Sequence, residues 1–458
     1  MVKPYNLSDH IQPSLGLGYL ASAIRNRHKV RILDCIKEKL LPAALADIIA
    51  RDKPDVVGIQ CYTFDLDNVE NILNGIKQKA PGTVTVIGGP HPSAEPVETM
   101  NRFGAALDFA FVGEAEIGFP KLLDILGQGT PKNFYSVEGL AWKDDAGINV
   151  NAPYFEEALD RFGFPAWDLI RPEKYPPSQH GAFFKKFPIA PMVITRGCPF
   201  ACSFCAGHLV SGKKIRRHSI EYVLKEITLL YREYGIREFH IIDDNFTMDK
   251  EFAKALLKGM LGLGLDISWA VPNGVKMETL DDELLELMKK TGLYVISLGI
   301  EVGTDRLLKT MGKNVTTEKI IECVRRIRSH DIPIAGFFIL GYIGETKDEM
   351  EETIRFSLKL DLIRANYFNF LPFPGTSSYK EILKEEGLER IDFKKFYFMD
   401  VAYAPKGVSR VQLKAIQRMA FVKFYSRPHI IIRNLSQIRS LAHFKFLFKR
   451  LLRWMIIK

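Results

Sequence analysis

Short apolar runs alternate with segments of helical periodicity along the first 130 residues. The runs are rich in β-branched residues and lie at 30–33, 56–59, 84–87 and 109–112. Leu17, Leu20 and Ile24 recur at helical spacing ahead of the first run. This alternation predicts parallel strands joined by crossover helices, and hence an open, doubly wound α/β sheet of the flavodoxin-like type. Ligands of such sheets bind at the carboxyl ends of the strands.

The same alternation returns after Pro191 with longer spacing. Ser219 is a predicted N-cap, and Thr346 and Glu349 have the spacing of a capping box. Six apolar runs, each followed by a helical stretch, are predicted strands at 192–195, 239–242, 268–271, 295–299, 336–340 and 367–371. Six βα units make three quarters of an eight-unit TIM-like barrel, whose active site gathers at the carboxyl ends of the strands.

The segment at 131–185 separates the two patterns. It is rich in Pro, Gly and aromatic residues and has no sustained period, which predicts a linker packed on its neighbours. We therefore divide the chain into a doubly wound domain at 1–130, this linker, a partial (β/α)6 barrel at 186–400, and a helical extension at 401–458.

Composition indicates a folded protein with a basic tail. The chain has 458 residues, of which 47% are hydrophobic and 26% charged, and this balance excludes a disordered chain. Residues 410–458, the basic tail, contain twelve Lys and Arg and no Asp or Glu. The remaining 409 residues hold 51 basic and 54 acidic side chains, a net charge of −3. The whole basic excess therefore lies in the last tenth of the chain.

The basic tail also shows a helical pattern. Basic or ionisable residues cluster away from the apolar ones, at Arg439, His443, Arg450 and Arg453. The apolar residues recur every three or four positions, at Leu435, Ile438, Leu441, Phe444, Phe448, Leu451, Leu452 and Met455. A basic amphipathic helix is typical of contact with an anionic membrane surface. A helix packed on the barrel with solvated charges is the alternative, and no nucleic-acid-binding module is present.

Neither a membrane-spanning window nor a signal peptide is found in the sequence. No run approaches the roughly 18 to 20 consecutive apolar residues that a transmembrane helix needs, and the first residues lack the apolar run of a signal peptide. We expect a cytoplasmic protein, with peripheral membrane contact through the basic tail as an open alternative.

Three cysteines stand close together in "TRGCPFACSFCAG", residues 195–207. Cys198, Cys202 and Cys205 have the spacing C-x3-C-x2-C. A structural zinc site needs a fourth ligand, and although His208 is near, no second ligand pair follows it. A 4Fe–4S cubane held by three thiolates leaves one iron open to a small molecule. The isolated cysteines are predicted to be buried small hydrophobes: Cys35, Cys61 and Cys323.

The cysteine triplet resembles the signature of the radical S-adenosylmethionine (SAM) superfamily. In that family SAM chelates the open iron, and electron transfer cleaves it to methionine and a 5′-deoxyadenosyl radical. Motifs at four later strand ends match in order: "IIDDNFT", "LGIEVGTD", "FFILGYIGET" and "FLPFPGT". Taken alone, such residues are usually turns or helix caps. The resemblance implies a SAM site at Phe204, Asp243, Asp244, Asn245, Glu301, Gly341 and Gly344, with Glu345 in the same glycine motif.

The first domain resembles the cobalamin-binding domain that precedes the barrel in one large class of radical SAM enzymes. The match covers most of residues 11–125, including "PSLGLGYLASAIR", "VRILD", "VVGIQCYT", "VTVIGGPHPSAEP" and "FVGEAE". It implies a corrin over the carboxyl ends of the strands, with the nucleotide tail beside the glycine pair. The implied contacts are Leu15, Gly16, Asp34, Thr63, Gly88, Gly89, Gly113 and Glu114.

Two departures from classical cobalamin proteins matter. Their motif D-x-H-x-x-G supplies a cobalt-ligating His, whereas the residues that follow Asp34 here include none. An open lower face of cobalt favours methyl transfer. His91 is expected to be hydrogen-bonded in place rather than to ligate cobalt. Only three residues precede Pro4, so the first strand is short or the sequence lacks part of its start. A domain that has lost its ligand is the alternative.

The resemblance implies a C-methyltransferase that acts on an unactivated carbon of a small or lipid-like substrate. One SAM would methylate cob(I)alamin, and a second would give the radical that activates the substrate for transfer from methylcobalamin. A flavodoxin or ferredoxin would donate electrons. Radical rearrangement, ring formation or oxidative cyclisation with cobalamin is the alternative reaction, and a non-catalytic cobalamin or redox sensor is the alternative class. A methylthio transferase would need further cysteines that are absent here.

Overall fold

Two sheets organise the protein. The computed structural model describes residues 1–6, 11–128, 133–176 and 184–436, and beyond these only positions 438, 444, 445 and 448. A seven-stranded sheet lies in the first third of the chain, and a six-stranded sheet lies in the remainder. A two-stranded ribbon accompanies the second sheet.

The first sheet has the predicted doubly wound form. Its strand order is β2-β1-β3-β4-β5-β6-β7, parallel from β2 through β5 and antiparallel beyond. The strands are β1 (Val2–Lys3), β2 (Leu33–Asp34), β3 (Val56–Gln60), β4 (Val84–Gly88), β5 (Phe109–Phe111), β6 (Leu140–Asp144) and β7 (Gly147–Val150). The helices are α1 (Leu15–Ile24), α2 (Cys35–Glu38), α3 (Pro42–Asp52), α4 (Leu66–Lys79), α5 (Pro90–Ala94), α6 (Pro96–Phe103), α7 (Gly118–Gly127) and α8 (Trp167–Ile170).

The hairpin of β6 and β7 differs from the sequence expectation. It lies inside the segment expected to be a linker without regular structure, and it adds two antiparallel strands to the sheet. Only Leu140, Ala141 and Trp142 are buried in it, so the apolar pattern is one short run without a period. The predicted domain boundaries stay a prediction.

The second sheet is the predicted partial barrel. Its order is β15-β14-β13-β12-β11-β8, and every pair is parallel. The strands are β8 (Ile189–Met192), β9 (Thr195–Arg196), β10 (Arg216–Arg217), β11 (Glu238–Ile241), β12 (Ser268–Val275), β13 (Leu293–Glu301), β14 (Ile334–Leu340) and β15 (Arg364–Asn369). The helices are α9 (Gly207–Ser211), α10 (Ile220–Glu233), α11 (Lys250–Gly262), α12 (Asp282–Lys290), α13 (Asp305–Thr310), α14 (Thr317–Ser329), α15 (Lys347–Lys359), α16 (Ser377–Glu385), α17 (Arg410–Tyr425) and α18 (Pro428–Leu435).

Local signals explain where the barrel helices begin. Ser219 caps α10 by accepting from the amide of Tyr222, and Thr346 forms a capping box with Glu349 at the start of α15. Satisfied amides at a helix start stabilise the helix by about 1 kcal/mol. The main core lies between the sheet and these helices, where Trp269 and Phe338 are fully buried.

Helix α17 covers the outer edge of strand β15. The side-chain amide of Gln417 donates to the Tyr367 carbonyl at 2.8 Å. The Tyr425 hydroxyl donates to the Ala365 carbonyl at 3.0 Å and accepts from the Ala365 amide at 3.3 Å. These side chains pair backbone groups that an open sheet edge would leave to water or to another chain. The first helix of the basic tail is therefore packed on the barrel.

The predicted amphipathic helix of the basic tail lies outside the described residues, apart from Leu435 and positions 438, 444 and 448. Among the described helices, none has the length and apolar character needed to cross a membrane.

Candidate active site at the barrel mouth

The cysteines lie on one loop that leaves the barrel after its first strand. Strands β9 and β10 pair antiparallel and close this loop, residues 197–215, which we call the cysteine loop. Gly197 begins it with φ +92°, and a Cβ there would clash with the carbonyl oxygen of Lys214. Glycine is thus required where the two ends of the loop meet. Cys198, Cys202 and Cys205 are all free thiols on this loop.

Ser203 fixes the cysteine loop to three segments that follow barrel strands: the end of α13, the turn after β14 and the start of α16. Its amide donates to the Met311 carbonyl at 3.0 Å, and its hydroxyl lies 2.6 Å from the Tyr342 hydroxyl. The amide and hydroxyl of Ser378 donate to the Ser203 carbonyl at 3.0 and 2.8 Å. These partners follow β13, β14 and β15. The neighbouring Phe204, predicted to contact adenine, is half-buried against the barrel core.

The electrostatics of the thiols suit loading by a metal cluster. Burial raises the pKa of Cys198, Cys202 and Cys205, that of Cys205 to about 11, so cluster binding would release protons. The cations Lys313 and Lys276 act in the opposite direction on Cys202. In the described part of the chain no three His, Cys, Asp or Glu side chains are arranged around a single metal ion. Three thiolates on one loop suit a cubane cluster, in which each thiolate binds a different iron.

The two aspartates after β11 play different parts. Asp243 is buried, and its carboxylate accepts from the amides of Ile194 and Thr195 at 2.8 and 2.7 Å, which joins the first two barrel strands. Burial raises the pKa of Asp243 to about 7. Asp244 is exposed and accepts from the Ser211 hydroxyl at 2.9 Å, beside the cysteine loop. Of the pair, Asp244 is therefore the one available to a ligand, and its SAM contact stays a prediction.

Glu301 lies at the end of β13 with an uncommon backbone conformation. Its φ is +66°, which costs a non-glycine residue energy and often marks a functional position. Its carboxylate accepts from the Lys313 ammonium at 2.8 Å, and Gly299 leaves the space that this ion pair fills. Nearby, the buried Asn245 accepts from the Lys276 amide at 3.4 Å. Predicted polar residues and two unpredicted lysines thus meet beside the cysteine loop.

The glycine motif after β14 is a tight turn stabilised by a buried acid. Gly341 and Gly344 have φ of +80° and +68°. One oxygen of Glu345 accepts from the amides of Gly341 and Tyr342 at 2.5 and 3.0 Å, and burial raises its pKa to about 8. The other Glu345 oxygen is buried and has no hydrogen-bond partner among the described residues. Leu413 of α17 packs against Gly341.

The glycine pair at the end of β4 faces the cysteine loop. Gly89 has φ +114°, and a Cβ on it would lie 3.0 Å from the Cys61 carbonyl oxygen. The preceding Gly88 closes β4, and α5 begins directly after Gly89. Helix α5 is in contact with α9, which follows Cys205. The edge predicted to bind cobalamin therefore lies against the loop predicted to hold the cluster.

The remaining predicted cobalamin residues lie at the same edge in varied environments. Thr63 and His91 are buried and share a hydrogen bond of 3.2 Å, and the other ring nitrogen of His91 lies 3.3 Å from Glu98. His91 is thus hydrogen-bonded on both sides, as expected. At the start of α1, Leu15 is buried and Gly16 is exposed.

Asp34 is already fully engaged by protein groups. One of its oxygens accepts from the amides of Ile36 and Lys37, both at 3.1 Å, and so caps α2. The other oxygen accepts from the Tyr175 hydroxyl at 2.8 Å and from the Lys3 ammonium at 3.3 Å. Asp34 therefore shapes the sheet edge, and its cobalamin contact stays a prediction.

An acidic loop at Gly113–Glu116 fastens the first domain to the base of the cysteine loop. Glu114 binds the Arg216 guanidinium through both oxygens at 2.6 and 2.7 Å, and its cobalamin contact stays a prediction. Glu116 accepts from Arg196 at 2.8 Å. Burial by itself would lower the pKa of Arg196. The carboxylates of Glu116 and Glu114 raise it by more, so the pKa of Arg196 lies above its ordinary value. All four side chains are nearly buried, so the network joins the domains through paired charges.

These arginines were missed by the motif search, as were Ser203 and the two site lysines. Arg196 and Arg216 stand directly beside the loop ends in "TRG" and "KIRR". The only signal in the sequence was that these arginines flank the cysteine loop, directly after the predicted strand at 192–195 and just before the predicted cap Ser219.

Comparison with known proteins agrees with this geometry. The family model of the radical SAM superfamily matches residues 192–357, and that of the B12 binding domain matches residues 8–123. The chain is 32% identical over 445 residues to an uncharacterized methyltransferase of Pyrococcus horikoshii, covering 97% of this chain and 93% of the other. It is 30% identical over 439 residues to cytidylyl-2-hydroxyethylphosphonate methyltransferase of Streptomyces wedmorensis, covering 83% and 81%.

A solved structure shares the fold. The cobalamin-dependent SAM radical enzyme OxsB, with aqua-cobalamin and SAM bound, aligns over 98% of this chain and 70% of its own, with a TM-score of 0.75 and 15% identity. The two family models match in the order expected from the sequence, and the relatives and the solved structure align with both domains. The chain therefore belongs to the family of cobalamin-dependent radical SAM enzymes.

Proposed function

We propose that the protein is a C-methyltransferase that uses a 4Fe–4S cluster, SAM and cobalamin on a small-molecule substrate. One observation carries the proposal: α5, which follows the glycine pair of the first domain, is in contact with α9, which follows Cys205. A methyl donor on one side and a radical generator on the other must both reach the substrate, and this contact brings their sites together. Named relatives of the same architecture are methyltransferases.

Distinct groups of residues would hold the three cofactors. The cluster would bind to Cys198, Cys202 and Cys205, and cobalamin would lie at the carboxyl edge of the first sheet near Gly89. SAM would be held between the cysteine loop and the polar residues that follow β11, β13 and β14. When bound, these cofactors supply a radical that removes a hydrogen atom from an unactivated carbon and a methyl group for that carbon.

The chain itself orients these groups and excludes water. Ser203 holds the cysteine loop against segments that follow three barrel strands, and the Glu301–Lys313 ion pair keeps a cation beside Cys202. Buried paired charges at the acidic loop hold the first domain over the barrel mouth. A closed, water-poor site prevents side reactions of reactive species.

The products formed from SAM test this proposal. After anaerobic cluster reconstitution, with hydroxocobalamin, SAM and a strong reductant in place of flavodoxin or ferredoxin, we expect both 5′-deoxyadenosine and S-adenosylhomocysteine by mass spectrometry. Formation of S-adenosylhomocysteine should stop when cobalamin is omitted, because methyl transfer to cobalt needs it, whereas 5′-deoxyadenosine should still form.

Other outcomes separate the alternatives. If 5′-deoxyadenosine forms without S-adenosylhomocysteine, the chain does not methylate cobalamin, and the ring-forming or rearranging reaction replaces methyl transfer. If neither product forms although cluster and cobalamin are bound, the chain is a sensor and not an enzyme.

We further propose that the basic tail contacts an anionic membrane surface. Its twelve basic residues have no acidic counterpart within the tail. Large apolar side chains on its described helices are exposed, including Val422, Ile432 and Leu435, with Ile432 68% exposed. Apolar side chains beside basic ones suit a lipid headgroup layer, where burial and charge attraction add. A lipid-like substrate would be reached from the same surface.

Vesicle co-sedimentation tests this contact. We expect the full chain to bind phosphatidylglycerol vesicles and to release them at 1 M salt, with little binding to phosphatidylcholine. Ile432→Asp should weaken binding about tenfold, because it removes one apolar side chain that the lipid layer would bury. Leu41→Asp, at another exposed apolar position on the first domain, should leave binding unchanged. Equal sedimentation of both variants, or none with wild type, would contradict the proposal.

A further inference from the structure

The barrel interior carries an ion pair on one side and a group of aromatic rings on another. Glu301 and Lys313 form the ion pair, beside the cysteine loop. On the other side, strands β14 and β15 contribute phenylalanines. Side chains alternate between the two faces of a strand. On β14 the outward-facing Phe338 is fully buried under the helices, so its neighbour Phe337 faces the interior. On β15 the same reasoning places Phe368 on the interior face. Arg364 and Asn366 share that face but lie nearer the amino end of the strand, away from the barrel mouth.

These inward phenylalanines continue into a row of aromatic rings that reaches the barrel mouth. We call Phe337, Phe368, Phe373 and Phe398 the phenylalanine wall. The ring centroids of Phe337 and Phe368 are 5.9 Å apart, those of Phe368 and Phe398 are 5.1 Å apart, and those of Phe398 and Phe373 are 6.1 Å apart. Such spacings are those of ordinary aromatic contacts, so the rings support one another as a surface.

The wall is not a finished core. Phe337 is partly exposed although β14 lies inside the sheet, and Phe368 is partly exposed although α17 covers the edge strand β15. Phe398 is 38% exposed. The interior of a complete barrel of this type is filled by layers of side chains. Partly exposed rings at this level therefore leave an apolar surface accessible at the barrel mouth.

The wall lies between the two cofactor sites. Phe373 lies in the loop before Ser378, which bonds the cysteine loop through Ser203. Residues Phe393–Lys395, next to Phe398, touch Thr63–Asp65 at the carboxyl edge of the first sheet. A molecule bound to the wall would therefore lie next to both the cysteine loop and the predicted cobalamin edge. A substrate that receives a methyl group has to reach both.

We propose that the phenylalanine wall is the substrate-binding surface and that the substrate has an uncharged, flat ring system. This inference rests on the methyltransferase function proposed above and adds the class of its substrate. The four wall side chains bear no charge, so a phosphate or carboxylate placed there would lose water without gaining a partner. Flat rings match the ring faces of phenylalanine, and burial of both surfaces drives binding.

Equilibrium dialysis of the full chain, loaded with cluster and cobalamin, against pyrene tests the proposal. We expect saturable binding of one pyrene per chain and no binding of cytidine 5′-monophosphate. Phe398→Ala and Phe368→Ala should each weaken pyrene binding about tenfold. Phe398 is exposed, so its variant is expected to fold even if Phe368→Ala does not. Tyr135→Ala removes a comparable aromatic contact, 4.9 Å from Trp142 on the distant hairpin, and should have no effect.

Formation of 5′-deoxyadenosine and S-adenosylhomocysteine is measured on the same samples. If both form but pyrene does not bind, or binds equally to all variants, the wall is not the substrate surface while the methyltransferase proposal stands. If cytidine 5′-monophosphate displaces pyrene, the substrate class is wrong. If neither SAM product forms in wild type, the methyltransferase proposal fails and the wall loses its role with it.

Discussion

Replacing Cys202 with alanine is expected to abolish SAM cleavage. The proposed cluster site consists of three thiolates, and Cys202 lies between the other two on a loop that Ser203 holds in place. Two thiolates would leave two irons of the cubane without a protein ligand. Removal of partners that only orient metal ligands already costs about 10- to 100-fold. For a direct ligand we expect less than about one hundredth of wild-type 5′-deoxyadenosine formation.

Iron and sulfide content, together with mass spectrometry of 5′-deoxyadenosine, measure this loss. Cys323→Ala is the matched control, since Cys323 is a buried free thiol of α14, outside the cysteine loop. It should keep full iron content and activity. Cys202→Ala protein that retained a full cluster and cleaved SAM would show that the cysteine triplet is not the cluster site.

Replacing Arg216 with methionine is expected to lower the free energy of unfolding by about 3–5 kcal/mol, the usual cost of leaving one partner of a buried ion pair alone. Its guanidinium is 2% exposed and donates to both oxygens of Glu114 and to the backbone carbonyls of Glu156 and Ser211. Among the described residues, Glu114 would keep only Arg196, whose guanidinium lies 3.4 Å away, and the two buried carbonyls would lose this donor. Because Ser211 belongs to the cysteine loop, we also expect less iron to be bound after reconstitution.

Denaturant unfolding of matched variants measures this cost. Arg25→Met removes an equally bidentate pair, with Asp168 at 2.7 Å for both contacts, but its side chain is 39% exposed. We expect at most about 1 kcal/mol there. The double variant Glu114→Leu/Arg216→Met should recover part of the loss, because it leaves no unpaired charge. Equal effects of Arg216→Met and Arg25→Met would show that the buried network does not join the domains.

Much of the fold could be predicted because its signals are local. Strands β3, β4 and β14 are mainly apolar runs between turn residues, and the capping residues of α10 and α15 lie within three positions of the amides they bind. The cysteine spacing is likewise confined to eight residues. Periodicity and spacing of this kind survive in the sequence without knowledge of the fold.

Contacts between distant segments could not be predicted in the same way. Glu114 and Arg216 are separated by 102 positions, and nothing in the sequence pairs one acid with one arginine. The serine between Cys202 and Phe204 looked like a spacer, yet its partners follow three different strands. The hairpin of β6 and β7 was missed because only one of its strands is buried. Acids such as Asp34 and Asp243 looked available to ligands until their oxygens were found bonded.

The cover that α17 provides for strand β15 has a consequence for how this chain can be divided. A protein ending before Arg410 would present the carbonyls of Ala365 and Tyr367 as an unpaired strand edge, and such edges recruit strands from other molecules into aggregates. The smallest autonomous folding unit of the barrel therefore extends to Tyr425, past its last βα unit. Recombination that exchanged tails between related enzymes would preserve solubility only if the crossover fell after that residue.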